Sequence, residues 1–155
     1  MKGESECDCV KKIGILTFHK SINYGSVLQA FALSDLLSKR GYAVEIIDYE
    51  PASYSIQYRI FEKNTSVHNV AANIRRLSVF DILWKQKKGF EKFREEHLPL
   101  SACKFTRASS PQEFSKYYGA VICGSDQIWN VTAKDCDPIF FLPGKQSYKK
   151  IAYAA

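Results

Sequence analysis

Long apolar runs are missing from this 155-residue chain. None approaches the roughly 20 apolar residues that a membrane-spanning helix needs. The first apolar stretch, Ile13 to Phe18, contains Gly14 and Thr17 and falls short of the ~7–15 residues of a secretory core. The tail before it, residues 1–11, is polar, partly acidic and expected to be disordered. These absences predict a cytoplasmic protein without stable membrane insertion. Paired cysteines are missing too. Five cysteines include no C-x-x-C pair, and Cys7 and Cys9 form a C-x-C with no further ligands nearby. Reduced thiols and no metal site are the expectation. Cys123, inside the apolar run Ala120 to Cys123, reads as a small buried hydrophobe.

A one-signed basic patch is also absent, although 22 Lys and Arg outnumber 16 Asp and Glu for a net charge of +6. Lys85, Lys87, Lys88, Lys92 and Arg94 are interleaved with Glu91, Glu95 and Glu96. That pattern reads as a solvated helix face with i,i+4 pairs, and no nucleic-acid partner is expected. Neither a G-x-G-x-x-G fingerprint nor a P-loop occurs, and no internal repeat is visible.

What is present is a globular composition, 46% hydrophobic and 25% charged, which excludes a disordered chain, a collagen-like repeat and a coiled-coil rod. A chain of about 150 residues buries roughly 70% of its unfolded surface, enough for one domain.

The periodicity predicts an α/β fold. Ile13 to Phe18 reads as a doubly buried strand, residues 26–40 as a helix stopped by Gly41, and Tyr42 to Tyr49 as a second strand. Together they form a βαβ unit, which implies a parallel sheet flanked by helices. Residues 52–98 read as an insertion, a helical flap built from helices over Val67–Gln86 and Lys87–His97. Phe105 is placed on a short third strand. After Ser109-Ser110, a plausible cap, Pro111 to Tyr118 reads as a short helix, and Ala120 to Cys123 as a buried strand. Ile139 to Leu142 is another apolar piece, and Lys149 to Ala155 begins a strand. A chain that stops within a strand suggests an N-terminal domain truncated at its C-terminal end.

Ligands of open α/β sheets bind beyond the carboxyl ends of the strands, where strand order reverses. Two loops qualify. The first carries Asn23, Tyr24, Gly25 and Ser26, followed by Gln29 on the helix. These residues suit an anion or a sugar hydroxyl at a helix N-terminus, or Asn23 and Ser26 merely cap the helix. The second is Gly124-Ser125-Asp126-Gln127-Ile128-Trp129-Asn130. Its Asp and Gln suit sugar hydroxyls, and Trp129 is either a sugar platform or a core filler. His19 is a candidate acid or base. Asp48 stands where dinucleotide folds place a ribose-binding carboxylate, without the accompanying glycines.

The stretches Lys12–His19, Asn23–Leu33, Val44–Tyr49, Gly124–Asn130, Asp137–Leu142 and Lys150–Ala155 resemble, in that order, the polysaccharide pyruvyl transferase family. The GSDQIWN stretch is the most specific of them. The resemblance implies transfer of a pyruvyl group from phosphoenolpyruvate to a sugar of a bacterial surface polysaccharide, leaving a ketal. It implies no cofactor beyond phosphoenolpyruvate as co-substrate, and a carbohydrate acceptor, free or lipid-linked. It also implies a Rossmann-like N-terminal half of a two-domain GT-B-like enzyme, with this half contributing the acceptor side. The cationic residues and the acid of that family lie in the other half, so this chain alone is expected to be inactive. Two other readings stay open: a non-catalytic sugar- or nucleotide-binding Rossmann module, and one half of a nucleotide-sugar-dependent glycosyltransferase.

Overall fold

In the computed structural model, five segments pair into one parallel sheet. They are β1 (Lys12–Leu16), β2 (Val44–Glu50), β3 (Leu100–Thr106), β4 (Tyr118–Gly124) and β5 (Lys149–Tyr153). The structure describes residues 11–51, 67–106, 108–124, 127–132 and 136–154. The expectations for residues 1–10 and for the polar stretch up to Ser66 lie outside the described residues.

The strand order is β3-β2-β1-β4-β5. The chain therefore steps outward from β1 through β2 to β3, then returns to the far side of β1 to lay down β4. Strand order reverses between β1 and β4, where Leu16 lies beside Cys123. A parallel sheet is covered on both faces, and the buried residues of β1, β2 and β4 provide for it at its centre. Ile15, Ile46 and Ile122 point into one core layer, and Leu16, Ile47 and Val121 into the other. Ile15, Leu16, Ile46, Ile47 and Val121 have no accessible surface, and each such side chain contributes about 1.5–3 kcal/mol of transfer free energy.

The first layer is roofed by two helices, α1 (Tyr24–Lys39) and the later α3 (Phe80–His97). Helix α1 starts two residues earlier than expected because Asn23 is its N-cap. It buries Ser26, Val27, Ala30, Leu33 and Ser34, whereas Leu28 and Leu36 are exposed. The helix stops as predicted. Gly41 takes φ +86°, its N–H bonds to Ser38 O and the Tyr42 N–H to Leu37 O, the paired bonds of a Schellman motif.

The two helices of the β2–β3 connection are divided differently from the sequence expectation. Helix α2 spans Val67–Leu77 and α3 begins at Phe80, so the break falls at Ser78-Val79 instead of Gln86-Lys87. Ser78 Oγ donates to Arg75 O, a local bond of the kind that competes with the helix ladder. The second half of α3 is not a free flap. Phe90, and Leu98 just past its end, are buried in the first core layer, as expected of a crossover helix. Arg94 departs from the expected solvated face, being buried. Lys88–Glu91 and Lys92–Glu96 do form surface pairs.

The second layer is closed by short 3-10 turns. One is Pro111–Lys116, where a longer helix was expected, entered through a Ser110–Glu113 capping box. Another is Pro138–Phe141, capped by Asp137. Phe114, Ile139 and Phe140 descend from them into the core.

Candidate functional site

Two loops face each other beyond the carboxyl ends of β1 and β4, at the point of strand-order reversal. Gln29 of α1 links them, its Nε2 donating to Gly124 O at 3.2 Å. Gln29 Oε1 and Thr17 Oγ1 are buried without a hydrogen-bond partner among the described residues.

The first loop is tied down by charge. His19 is 1% exposed. Its Nδ1 lies 3.3 Å from Thr17 O and its Nε2 3.2 Å from Asp48 Oδ1. Both partners are acceptors, so both contacts are hydrogen bonds together only when the ring carries two protons. Lys20 Nζ lies 2.7 Å from the same Asp48 oxygen and 3.1 Å from Glu50 Oε2. Arg94 Nη1 donates to Lys20 O at 3.3 Å, fastening the loop to α3. The Asp48 N–H is also engaged, donating to Ser101 Oγ at 2.9 Å where the β2–β3 register slips.

Burial opposes ionisation of Asp48, but the hydrogen bonds from His19 and Lys20, with their charges, outweigh it and hold the carboxyl well below its usual range. Lys20 behaves correspondingly. Burial works against its charge, yet Asp48 and Glu50 raise its pKa. A carboxylate so stabilised is a poor base near neutrality. Asp48 is turned inward to His19 and Lys20. In this arrangement the cluster sets loop shape.

The helix-facing end of this loop is open. Asn23 Oδ1 accepts the Gly25 N–H at 2.8 Å, the capping geometry, whereas Ser26 is buried in the first turn. Gly25 and Tyr24 are exposed, and the Tyr24 ring packs 4.8 Å from Phe90.

The second loop is held by shape. Gly124 has φ +134°, and a Cβ there would sit 2.1 Å from Tyr153 O and 2.9 Å from Trp129 Cη2. Only glycine fits. Ser125 and Asp126 lie outside the described residues, and Gln127 opens the 3-10 turn Gln127–Trp129. Trp129 packs half-buried against the second core layer. Its remaining surface helps line a cavity of about 450 Å³ with Cys123, Phe140, Phe141 and Lys150. Asn130 is exposed, and its Oδ1 accepts from the N–H and the hydroxyl of Thr132. Burial pushes the Cys123 thiol up to about 12, the inert state expected of a core cysteine. The other described cysteines, Cys103 and Cys136, are also free thiols.

Lys20, Glu50, Arg94 and Ser101 escaped the sequence reading. A usable signal existed for two of them. Asp48 and Glu50, two apart on a strand, share one face, and consecutive His19-Lys20 at the neighbouring strand end supplies the cations.

Among the described residues no group of three or more His, Cys, Asp or Glu side chains is placed to hold a metal. No helix among them is long and apolar enough to cross a membrane. The family model described as Polysaccharide pyruvyl transferase matches residues 23–155, a span that takes in Asn23–Ser26 of the first loop and all of Gly124–Asn130, but not His19–Ile22. Comparison with curated proteins and with solved structures returned no match.

Proposed function

The chain belongs to the polysaccharide pyruvyl transferase family, a family of transferases, and from that premise we propose that it takes part in moving a pyruvyl group from phosphoenolpyruvate to a carbohydrate acceptor. The observation that carries the reading is the extent of the match, residues 23–155, which includes Asn23–Ser26 at the start of α1 and the whole Gly124–Asn130 segment. Ketal formation protonates the methylene carbon of phosphoenolpyruvate, joins two sugar oxygens to its C2 and breaks the C2–O bond to phosphate. One hydroxyl proton balances the new methyl group and the other leaves with inorganic phosphate.

That reaction needs a general acid and cationic groups for the departing phosphate. The crevice offers something else: the exposed Asn23–Gly25 turn and Asn130, the half-buried Trp129, and Gln29 beneath them with its unpartnered Oε1, which are groups suited to sugar hydroxyls. The cations of the neighbouring cluster are already engaged with Asp48 and Glu50. We therefore assign this half to the acceptor, with a second Rossmann-like half facing it on a GT-B-like plan and supplying the phosphoenolpyruvate site.

Calorimetry of the 155-residue chain tests the assignment. Acidic or neutral hexose acceptors are expected to bind, with Gln29→Ala weakening them about tenfold, and phosphoenolpyruvate is expected to give no heat. Tight phosphoenolpyruvate binding, or its turnover to phosphate by this chain, would falsify the acceptor-side role. Binding of a nucleotide-sugar in preference to both would point to glycosyl transfer instead.

A further inference from the structure

Helix α2 carries its apolar stripe on the outside. Val70, Ile74 and Leu77 recur at helical spacing along one face, yet Ile74 is 64% and Leu77 62% exposed. Beyond the break Val79, Ile82 and Trp84 are exposed as well, Ile82 and Trp84 on different sides of α3. A run of large apolar side chains facing water is a recognition surface in a stable fold.

The charges around it indicate what it meets. Residues 67–88 contain Arg75, Arg76, Lys85, Lys87 and Lys88 against the single acid Asp81. The bias ends where the apolar exposure ends: residues 89–97 hold Glu91, Glu95 and Glu96 against Lys92 and Arg94. Lys88 Nζ stands 5.2 Å over the Trp84 ring, which stacks on Phe80. An indole with an ammonium beside it suits the boundary between headgroups and acyl chains. A protein partner would be served by the apolar stripe alone. The excess of basic over acidic residues along this segment favours an anionic surface.

We propose that α2 and the first two turns of α3 dock this protein peripherally on an anionic phospholipid bilayer, Ile74, Leu77 and Trp84 entering the interface and the flanking Arg and Lys meeting headgroups. The surface adjoins an apolar groove of about 450 Å³ between α1 and α3, lined by Tyr24, Leu28, Lys85 and Phe93 among others. That groove ends at Tyr24, the start of the open loop of the crevice. Docking would thus hold the crevice close to a membrane-borne acceptor.

Vesicle co-sedimentation of the 155-residue chain tests this independently of any transfer activity. Binding to vesicles of equal phosphatidylglycerol and phosphatidylcholine is expected to be at least about tenfold tighter than to phosphatidylcholine alone, and to fall severalfold between 0.05 and 0.5 M salt. Ile74→Asp with Leu77→Asp is expected to abolish binding. Arg75→Glu with Lys85→Glu is expected to weaken it by about tenfold or more. Both pairs should leave the circular dichroism unchanged, because the altered side chains bear no core contact. The proposal is overturned if anionic vesicles bind no better than neutral ones. It is also overturned if the apolar pair binds like the parent, or if that pair instead dissolves a dimer seen by sedimentation.

Discussion

The two loops at the strand-order reversal lie side by side and are stabilised by opposite means. The His19–Ser26 loop is held by a buried ionic cluster drawn from β2 and α3. The Gly124–Asn130 loop is held by backbone shape and aromatic packing, with Gly124 wedged against β5 and Trp129 against the core. A loop held by charge responds to pH and salt, and one held by shape does not. The difference predicts which perturbation loosens which wall of the crevice.

The largest effect belongs to the second loop. Gly124→Ala forces a Cβ to within 2.1 Å of a carbonyl oxygen at a φ that L residues avoid. Strain and overpacking together are expected to cost about 3–5 kcal/mol, with little dependence on pH, measured by urea unfolding at several pH values. Loss of under 1 kcal/mol would show that the two chain segments separate easily.

Asp48→Asn is the matching break in the first loop. Removing a charge that His19 and Lys20 both face is expected to cost about 2–3 kcal/mol at neutral pH. The sign of the pH effect follows from the depressed carboxyl pKa. Its stabilisation is present above the unfolded-state value of about 4 and is lost as pH falls through the folded value. The parent should therefore lose stability on acidification more steeply than Asp48→Asn, and their difference should shrink below about pH 4. A constant difference down to pH 2 would show that the carboxylate is not specially stabilised.

The smallest effect tests the caps. Asn23→Ala removes the side-chain bond to the Gly25 N–H and is expected to cost about 1 kcal/mol. Asn130→Ala, whose side-chain oxygen serves only an exposed turn, is expected to cost less than about 0.5 kcal/mol. Equal costs would mean that the second loop depends on its polar bonds as much as the first.

Several local features were legible without a structure. The strand positions, the stop at Gly41 and the Ser110 cap follow from hydrophobic period and turn chemistry, which are encoded over a few neighbouring residues. Helix α1 showed where such reasoning weakens. Its apolar residues span too wide an arc for one sheet contact, and the periodicity alone does not say that Leu28 and Leu36 stay outside. The α2–α3 break was misplaced because Ser78-Val79 carries no glycine or proline. Gly89, by contrast, lies inside α3 without ending it.

The ionic cluster was not legible as a unit. Asp48 lies 29 positions from His19 and Arg94 lies 74 from Lys20, distances over which no local pattern operates. His19 and Asp48 each drew separate readings, as an acid or base and as a ribose carboxylate, and the fold makes them partners. Trp129 was open between platform and filler, and its place against the core depends on Phe140 and Leu142 arriving from a later segment.

The sequence by itself determined most of the strands and helices and the family resemblance in their motifs, and it singled out two loops as ligand candidates. Only the tertiary structure decided which charges neutralise one another and which face of α2 is left in water. The reason is physical. Periodicity and turn propensity act between neighbours, whereas desolvation and ion pairing depend on groups that meet only once the sheet has brought distant segments together.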